Sequence, residues 1–266
     1  LSGNPLFPRR IMGHQPFRLS IWAMMLFSVT AYGFFFLLPI YLQQVHGYTT
    51  FQSGLILLPG ALFAGVATLL SGILSDRINP KKVAAMCLLG AAVASWRFHS
   101  DMDTPRELLY LDYICWGFFI GGAFAPITLL ALGTLEERDV ANGSTLVNVS
   151  RLVAGSIGTS YATSLLSIKK DSFYEALSAN LTWGNPALDE LLSRFSIYAG
   201  NTTVAFDPDT WHRLLFQAKQ ILLVRAASYA FEATYEYLAL FPLAALVCVV
   251  LVKGNSNHRG IKPPLH

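Results

Sequence analysis

The chain has 266 residues, 53% of them hydrophobic and only 13% charged, with a formal net charge of +3 and a mean hydropathy of +0.46. Soluble domains carry about 25% charged residues, so roughly half of the usual solubilising charge is missing and an ordinary soluble domain is excluded. The net charge is small and no basic cluster is interleaved with aromatics, which leaves no footing for nucleic acid.

A spanning helix takes about 20 mostly apolar residues, and such runs follow one another along the chain. Residues 1–18 read as a cytoplasmic lead-in from a missing N-terminal half; the chain starts at Leu1, with no charged n-region and cleavage site. Residues 19–166 are expected to hold five spans. The first, Leu19 to Gln43, is uncharged. The second, about Gly54 to Leu74, stops at Asp76-Arg77. The third, Val83 to Phe98, is short, and Lys81, Lys82 and Arg97 can snorkel to the two interfaces. The fourth covers about Leu108 to Leu135; the fifth, about Ala141 to Leu166, is the least apolar and contains Arg151. Residues 167–228 differ in character. Gly184-Asn185-Pro186, Gly200-Asn201 and Asp207-Pro208-Asp209 are turn or helix-start signals among amphipathic patterns. The segment is expected to be a long extracytoplasmic loop with amphipathic helices, the last of them running into the final span at 229–253. Residues 254–266 then form a cytoplasmic tail.

Orientation follows from Lys and Arg in short loops. Arg9, Arg10, Arg18, Arg77, Lys81, Lys82, Arg138, Lys253, Arg259 and Lys262 all fall on the side that holds both ends of a six-span chain. That side is expected to be cytoplasmic, in a multi-pass protein of the inner (plasma) membrane. Cys87, Cys115 and Cys248 sit inside apolar runs without metal or redox spacing, and read as small hydrophobes.

Two stretches carry a resemblance. Leu38-Pro39-Ile40-Tyr41-Leu42-Gln43-Gln44-Val45-His46-Gly47-Tyr48, followed by Gly54 and Leu58-Pro59-Gly60, closely resembles the first helical hairpin in the second half of EmrB/QacA-type transporters. These are fourteen-helix drug:proton antiporters of the major facilitator superfamily. Gly72-Ile73-Leu74-Ser75-Asp76-Arg77-Ile78-Asn79-Pro80-Lys81-Lys82 is similar to the superfamily's cytoplasmic loop motif, G-x-L-a-D-R-x-G-R-(K/R). Asn79 and Pro80 stand where the family has Gly and a basic or small residue. The resemblance implies an all-α membrane protein, a six-transmembrane-helix bundle forming one half of a major facilitator fold. It further implies that the partners are the N-terminal half of the same transporter, a lipophilic small-molecule substrate, protons, and an adaptor protein that could dock on the outer loop.

Several residues stand out as candidate sites. In the loop motif, Gly72, Asp76, Arg77, Lys81 and Lys82 suit either a conformational contact between helix ends or a solvated, positive-inside turn. In the fifth span, Ser144, Asn148, Arg151, Gly155, Gly158 and Ala162 share one helical stripe, polar at one end and small at the other. An Arg at depth costs about 3 kcal/mol unless it faces protein or water. The stripe therefore reads as a cavity or helix-interface face, the plainer alternative being that Arg151 snorkels to the headgroups. Glu232 and Glu236, four apart, read as a proton-sensitive pair or as a hydrated helix entry. Tyr32, Phe34, Phe35 and Phe36 could line a drug site or touch lipid. Gly117, Gly121, Gly122 and Pro126 suit close packing and a kink.

No catalytic signature, metal spacing or cofactor motif is found, so no enzyme, metal or cofactor is expected. The leading expectation is the C-terminal half of a secondary active transporter exporting lipophilic drugs, taking varied lipophilic cations and uncharged molecules, by proton antiport. The rivals are a major facilitator transporter of one physiological solute and a non-transporting membrane scaffold.

Overall fold

The computed structural model describes residues 13–98, 104–179 and 208–252, with the backbone alone for 177–179 and 208–218. Residues 1–12, His99, the turn signals between 184 and 201, Asn180, Asn201 and the tail beyond Val252 lie outside the described residues, as does the side chain of His212.

Six helices and no strand make up the described residues: α1 (Gln15–Gln44), α2 (Thr50–Arg77), α3 (Pro80–Trp96), α4 (Arg106–Leu132), α5 (Glu137–Ala179) and α6 (Pro208–Leu251). The ends of the second and third have identifiable local causes. Gly47, at a φ of 67°, takes the left-handed conformation that closes the turn after α1. Thr49 then opens α2 with a reciprocal cap: its hydroxyl accepts from the Gln52 amide, and its own amide donates to the Gln52 side chain. Asn79 accepts from the Lys81 amide at 2.9 Å and Pro80 occupies the first helical position, so the departure from the loop motif at Asn79-Pro80 is a helix start.

Among the described residues four helices are long and apolar enough to cross a membrane: α1, α2, α4 and the Lys219–Leu251 part of α6. Helix α3, at 17 residues, rises only about 26 Å, and α5 carries the polar stripe. Helices α5 and α6, with 43 and 44 residues, each reach about 65 Å at 1.5 Å per residue, roughly twice the hydrocarbon thickness. Residues 167–179 continue α5 and residues 208–228 belong to α6 without a break.

Helix α1 packs against α4, α5 and α6, α2 leans chiefly on α4, and α3 lies against α4 and α6. Small residues set the closest approaches. A Cβ added at Gly117 or Gly121 of α4 would strike the α2 backbone at Gly60 or Ala64, and one at Gly158 of α5 would strike the α1 backbone at Val29. The Thr68 hydroxyl donates to the Gly121 carbonyl at 2.8 Å across the α2–α4 contact. Without a water-driven hydrophobic effect between spanning helices, such backbone proximity and interhelical hydrogen bonds hold the bundle.

Aromatic rings tie α1, α3, α4 and α6 together. Phe34 stacks on Trp116 and on Tyr235, each at 4.2 Å between centroids, and meets the edge of Phe98 at 5.2 Å. The Trp116 indole N–H, buried in this group, donates to Ser95 of α3 at 3.0 Å.

Candidate functional site

The face shared by α1, α4 and α5 carries a charge among apolar residues, Arg151 of α5. From α5, Arg151 reaches across to α4, where its guanidinium carbon lies 4.8 Å from the centre of the Phe124 ring. Its Nε is buried without a hydrogen-bond partner, and among the described residues no acid pairs with it. One turn further along α5, Gly155 lies against the Tyr32 ring of α1. Tyr32, Phe35 and Phe36 of α1 are each exposed by 36% or more. Arg151 itself is part-exposed, Asn148 exposed, and Gly155 and Gly158 buried.

The α5 stripe thus divides. Its small end, Gly155, Gly158 and Ala162, seals the contact with α1, while Arg151 sits at the edge of that contact and is held by a ring. Val149, Leu152, Val153 and Ile157 point away and are exposed. Phe34 departs from the expectation for its neighbours: it is fully buried in the aromatic core, enclosed by Phe98, Trp116 of α4 and Tyr235 of α6. Phe124 was not singled out by sequence reasoning. Lying two residues before Pro126, it looks like one more apolar position until the neighbour of α5 is known.

The loop motif is resolved into distinct roles. Asp76, Arg77 and Lys82 are exposed, and Gly72 is half-buried with its nearest neighbour, Ala125 of α4, at ordinary contact distance. Lys81 does something unforeseen: its ammonium donates at 2.7 Å to the carbonyls of both Val250 and Val252, at the C-terminus of α6. The Val250 carbonyl is among the last four of the helix, which lack intrahelical partners, that of Val252 follows just after its end, and a cation there also meets the negative end of the helix dipole. The ends of α2, α3 and α6 are thereby gathered on one side.

Glu232 and Glu236 both lie on the exposed side of α6, apart from the buried Thr234 and Tyr235 between them. At the same end of the bundle, Tyr41 and His46 share a hydrogen bond of 3.0 Å, His46 stacks on Tyr48, and Arg106 Nε donates to the Tyr48 hydroxyl at 2.9 Å. Burial, and then the nearby Arg106 charge, lower the His46 pKa from its ordinary 6.5.

Packed helices of this apolarity, with close backbone contacts and an interhelical hydrogen bond between them, are those of a multi-pass membrane protein. The sequence matches the Major Facilitator Superfamily over residues 2–159, more than half of its length, and the chain belongs to that family. It is 28% identical over 244 residues to the MFS-type transporter YhcA of Bacillus subtilis, a match spanning 91% of this chain and 42% of that one. It is 26% identical over 195 residues to the multidrug export protein EmrB of Escherichia coli, spanning 72% of this chain and 38% of EmrB. The resemblance to EmrB-type transporters is thus borne out, and the chain spans less than half the length of these relatives. Its fold is that of a bacterial homologue of the human lysosomal transporter Spinster, solved in an inward-facing, occupied conformation. The TM-score is 0.65 at 15% identity, over 91% of this chain and 50% of that one, so the six helices match half of that fold.

Proposed function

We propose that the chain is the C-terminal half of a secondary active transporter that exports lipophilic drugs by proton antiport, with both ends of this segment in the cytoplasm of the inner membrane. The observation that carries this reading is the contact of α1, α4 and α5, where Arg151 lies over the Phe124 ring and Gly155 against the Tyr32 ring, with Phe35 and Phe36 on the same exposed face of α1 as Tyr32. Rings with few fixed polar groups accept varied apolar molecules, and the multidrug export protein EmrB is a relative. Transport in such folds proceeds by rocking one half against the other around a midplane site. The loop residues Gly72, Asp76, Arg77, Lys81 and Lys82 lie outside that midplane and serve the movement. Among the described residues Glu232 and Glu236 lie near the middle of α6, on its exposed side, where they would serve as a proton-sensitive pair, with the rest of the proton path assigned to the other half.

The test is active transport by the full-length protein in inside-out vesicles. An imposed pH gradient, acid inside, should drive accumulation of chemically unlike lipophilic dyes, and nigericin should abolish it. Accumulation of a single solute only, or accumulation indifferent to the gradient, would contradict the reading.

A further inference from the structure

We infer that the turn after α1 and the start of α4 are joined by a clasp that acid releases, an outer-face pH switch built on His46 and separate from the substrate face. Residues 45–49 carry the chain from α1 to α2 and fold back on α1. Gly47 takes the left-handed conformation, and the Tyr48 amide donates to the Leu42 carbonyl at 3.2 Å. His46 is thereby held between two tyrosines. Its Nε2 shares a hydrogen bond of 3.0 Å with the hydroxyl of the buried Tyr41, and its ring stacks on Tyr48 at 5.5 Å. Arg106, at the first position of α4, closes the clasp. Its Nε donates to the Tyr48 hydroxyl at 2.9 Å, and its guanidinium carbon lies 5.2 Å from the centre of the same ring.

Neutral His46 suits this arrangement and the charged ring does not. The groups that face it are Tyr41 of α1, Tyr48 of the turn and Arg106 of α4. The end of α3 and α6 meet Tyr41 through Phe98 and Phe231, and the neighbouring Arg97 and Glu232 are exposed. Helix α2 opens with the uncharged Thr50, Phe51 and Gln52. The charge acting on His46 is therefore that of Arg106, and it is positive. A proton on this half-buried imidazole is desolvated and unpaired, and the ring it stacks on already carries Arg106. Desolvation first, and then Arg106, favour the neutral form, so the clasp holds above the ordinary 6.5 and weakens as pH falls below it. Deeper in the bundle, α2 and α4 are in backbone contact at Gly60 and Gly117, so release moves the helix ends and leaves that packing in place. With both ends of the segment in the cytoplasm, as proposed above, the turn faces outward, the side from which an antiporter takes its protons.

The test uses the full-length protein in nanodiscs, in a background without Cys87, Cys115 and Cys248. Spin labels are attached through Thr50→Cys and Glu107→Cys, exposed positions on the two sides of the clasp, and their separation is read by dipolar electron paramagnetic resonance. It should be single and narrow at about pH 8 and longer or broader at about pH 5, with a midpoint below the ordinary 6.5. His46→Gln should remove this pH dependence. Tyr48→Phe, which keeps the ring and loses the Arg106 bond, should give the broad distribution already at the higher pH. A separation that is the same at both pH values with His46 in place overturns the inference. So does a pH-dependent change that survives His46→Gln, which would assign it to another titrating group. Release in acid by a protein whose dye transport ignores the pH gradient would uphold the clasp and contradict the antiport reading, so the two fail separately.

Discussion

The Thr30 hydroxyl of α1 donates at 2.8 Å to the Leu238 carbonyl of α6, four residues before Pro242. Pro242 has no N–H, so that carbonyl loses its intrahelical donor, and in hydrocarbon no water replaces it. Thr30, fully buried, supplies the missing bond from another helix. Thr30→Val should therefore cost about 1–3 kcal/mol, read as reduced resistance of the full-length protein to unfolding in detergent, and Thr30→Ser should cost much less. In a Pro242→Ala background, where the backbone bond can re-form, Thr30→Val should cost little. An equal cost in both backgrounds would detach Thr30 from the proline.

Lys81 caps the far end of the same helix. Lys81→Met should speed amide exchange in the last turn of α6 with little change in α1, because the bonds to Val250 and Val252 disappear. Lys82→Met, at an exposed neighbour, should leave it unchanged.

The glycines separate close packing from open surface. Gly158→Ala places a methyl against the Val29 backbone and should destabilise by about 1–3 kcal/mol, whereas Gly65→Ala meets nothing within 4 Å and should be neutral in stability. Parallel unfolding measurements in detergent decide the matter.

The His46 cluster should loosen in acid. Its pKa is lowered in the folded protein, so the unfolded state binds the proton more readily and stability falls as pH drops below the ordinary 6.5. Protonation also adds a charge beside Arg106. Amide exchange of Val45 to Thr49, divided by its intrinsic rate at each pH, should quicken below that pH, and His46→Gln should flatten the dependence. Acceleration on raising the pH would reverse the sign and contradict the assignment.

The helices were legible because apolar length and the stops at Asp76-Arg77 and Asn79-Pro80 are local signals. The stripe from Ser144 to Ala162 was legible for the same reason, since spacing alone places those residues on one face. Which neighbour each face meets is not local. Nothing near Arg151 in sequence points to Phe124, nothing near Lys81 points to Val252, and Thr30 lies 208 residues from Leu238. The burial of Phe34 between the exposed Tyr32 and Phe35 was likewise hidden, because all three are equally apolar in a run without polar marks.

The most direct test of the α1, α4 and α5 face is substrate protection in the full-length protein, in a background without Cys87, Cys115 and Cys248. Cysteines introduced by Tyr32→Cys and Phe35→Cys should react with a water-soluble maleimide and be shielded by a saturating lipophilic dye that the protein transports. A cysteine from Val247→Cys, on the exposed surface of α6, should react slowly and ignore the ligand. If Tyr32→Cys and Phe35→Cys are as unreactive as Val247→Cys, or react without any protection, these rings face lipid and the substrate path lies elsewhere.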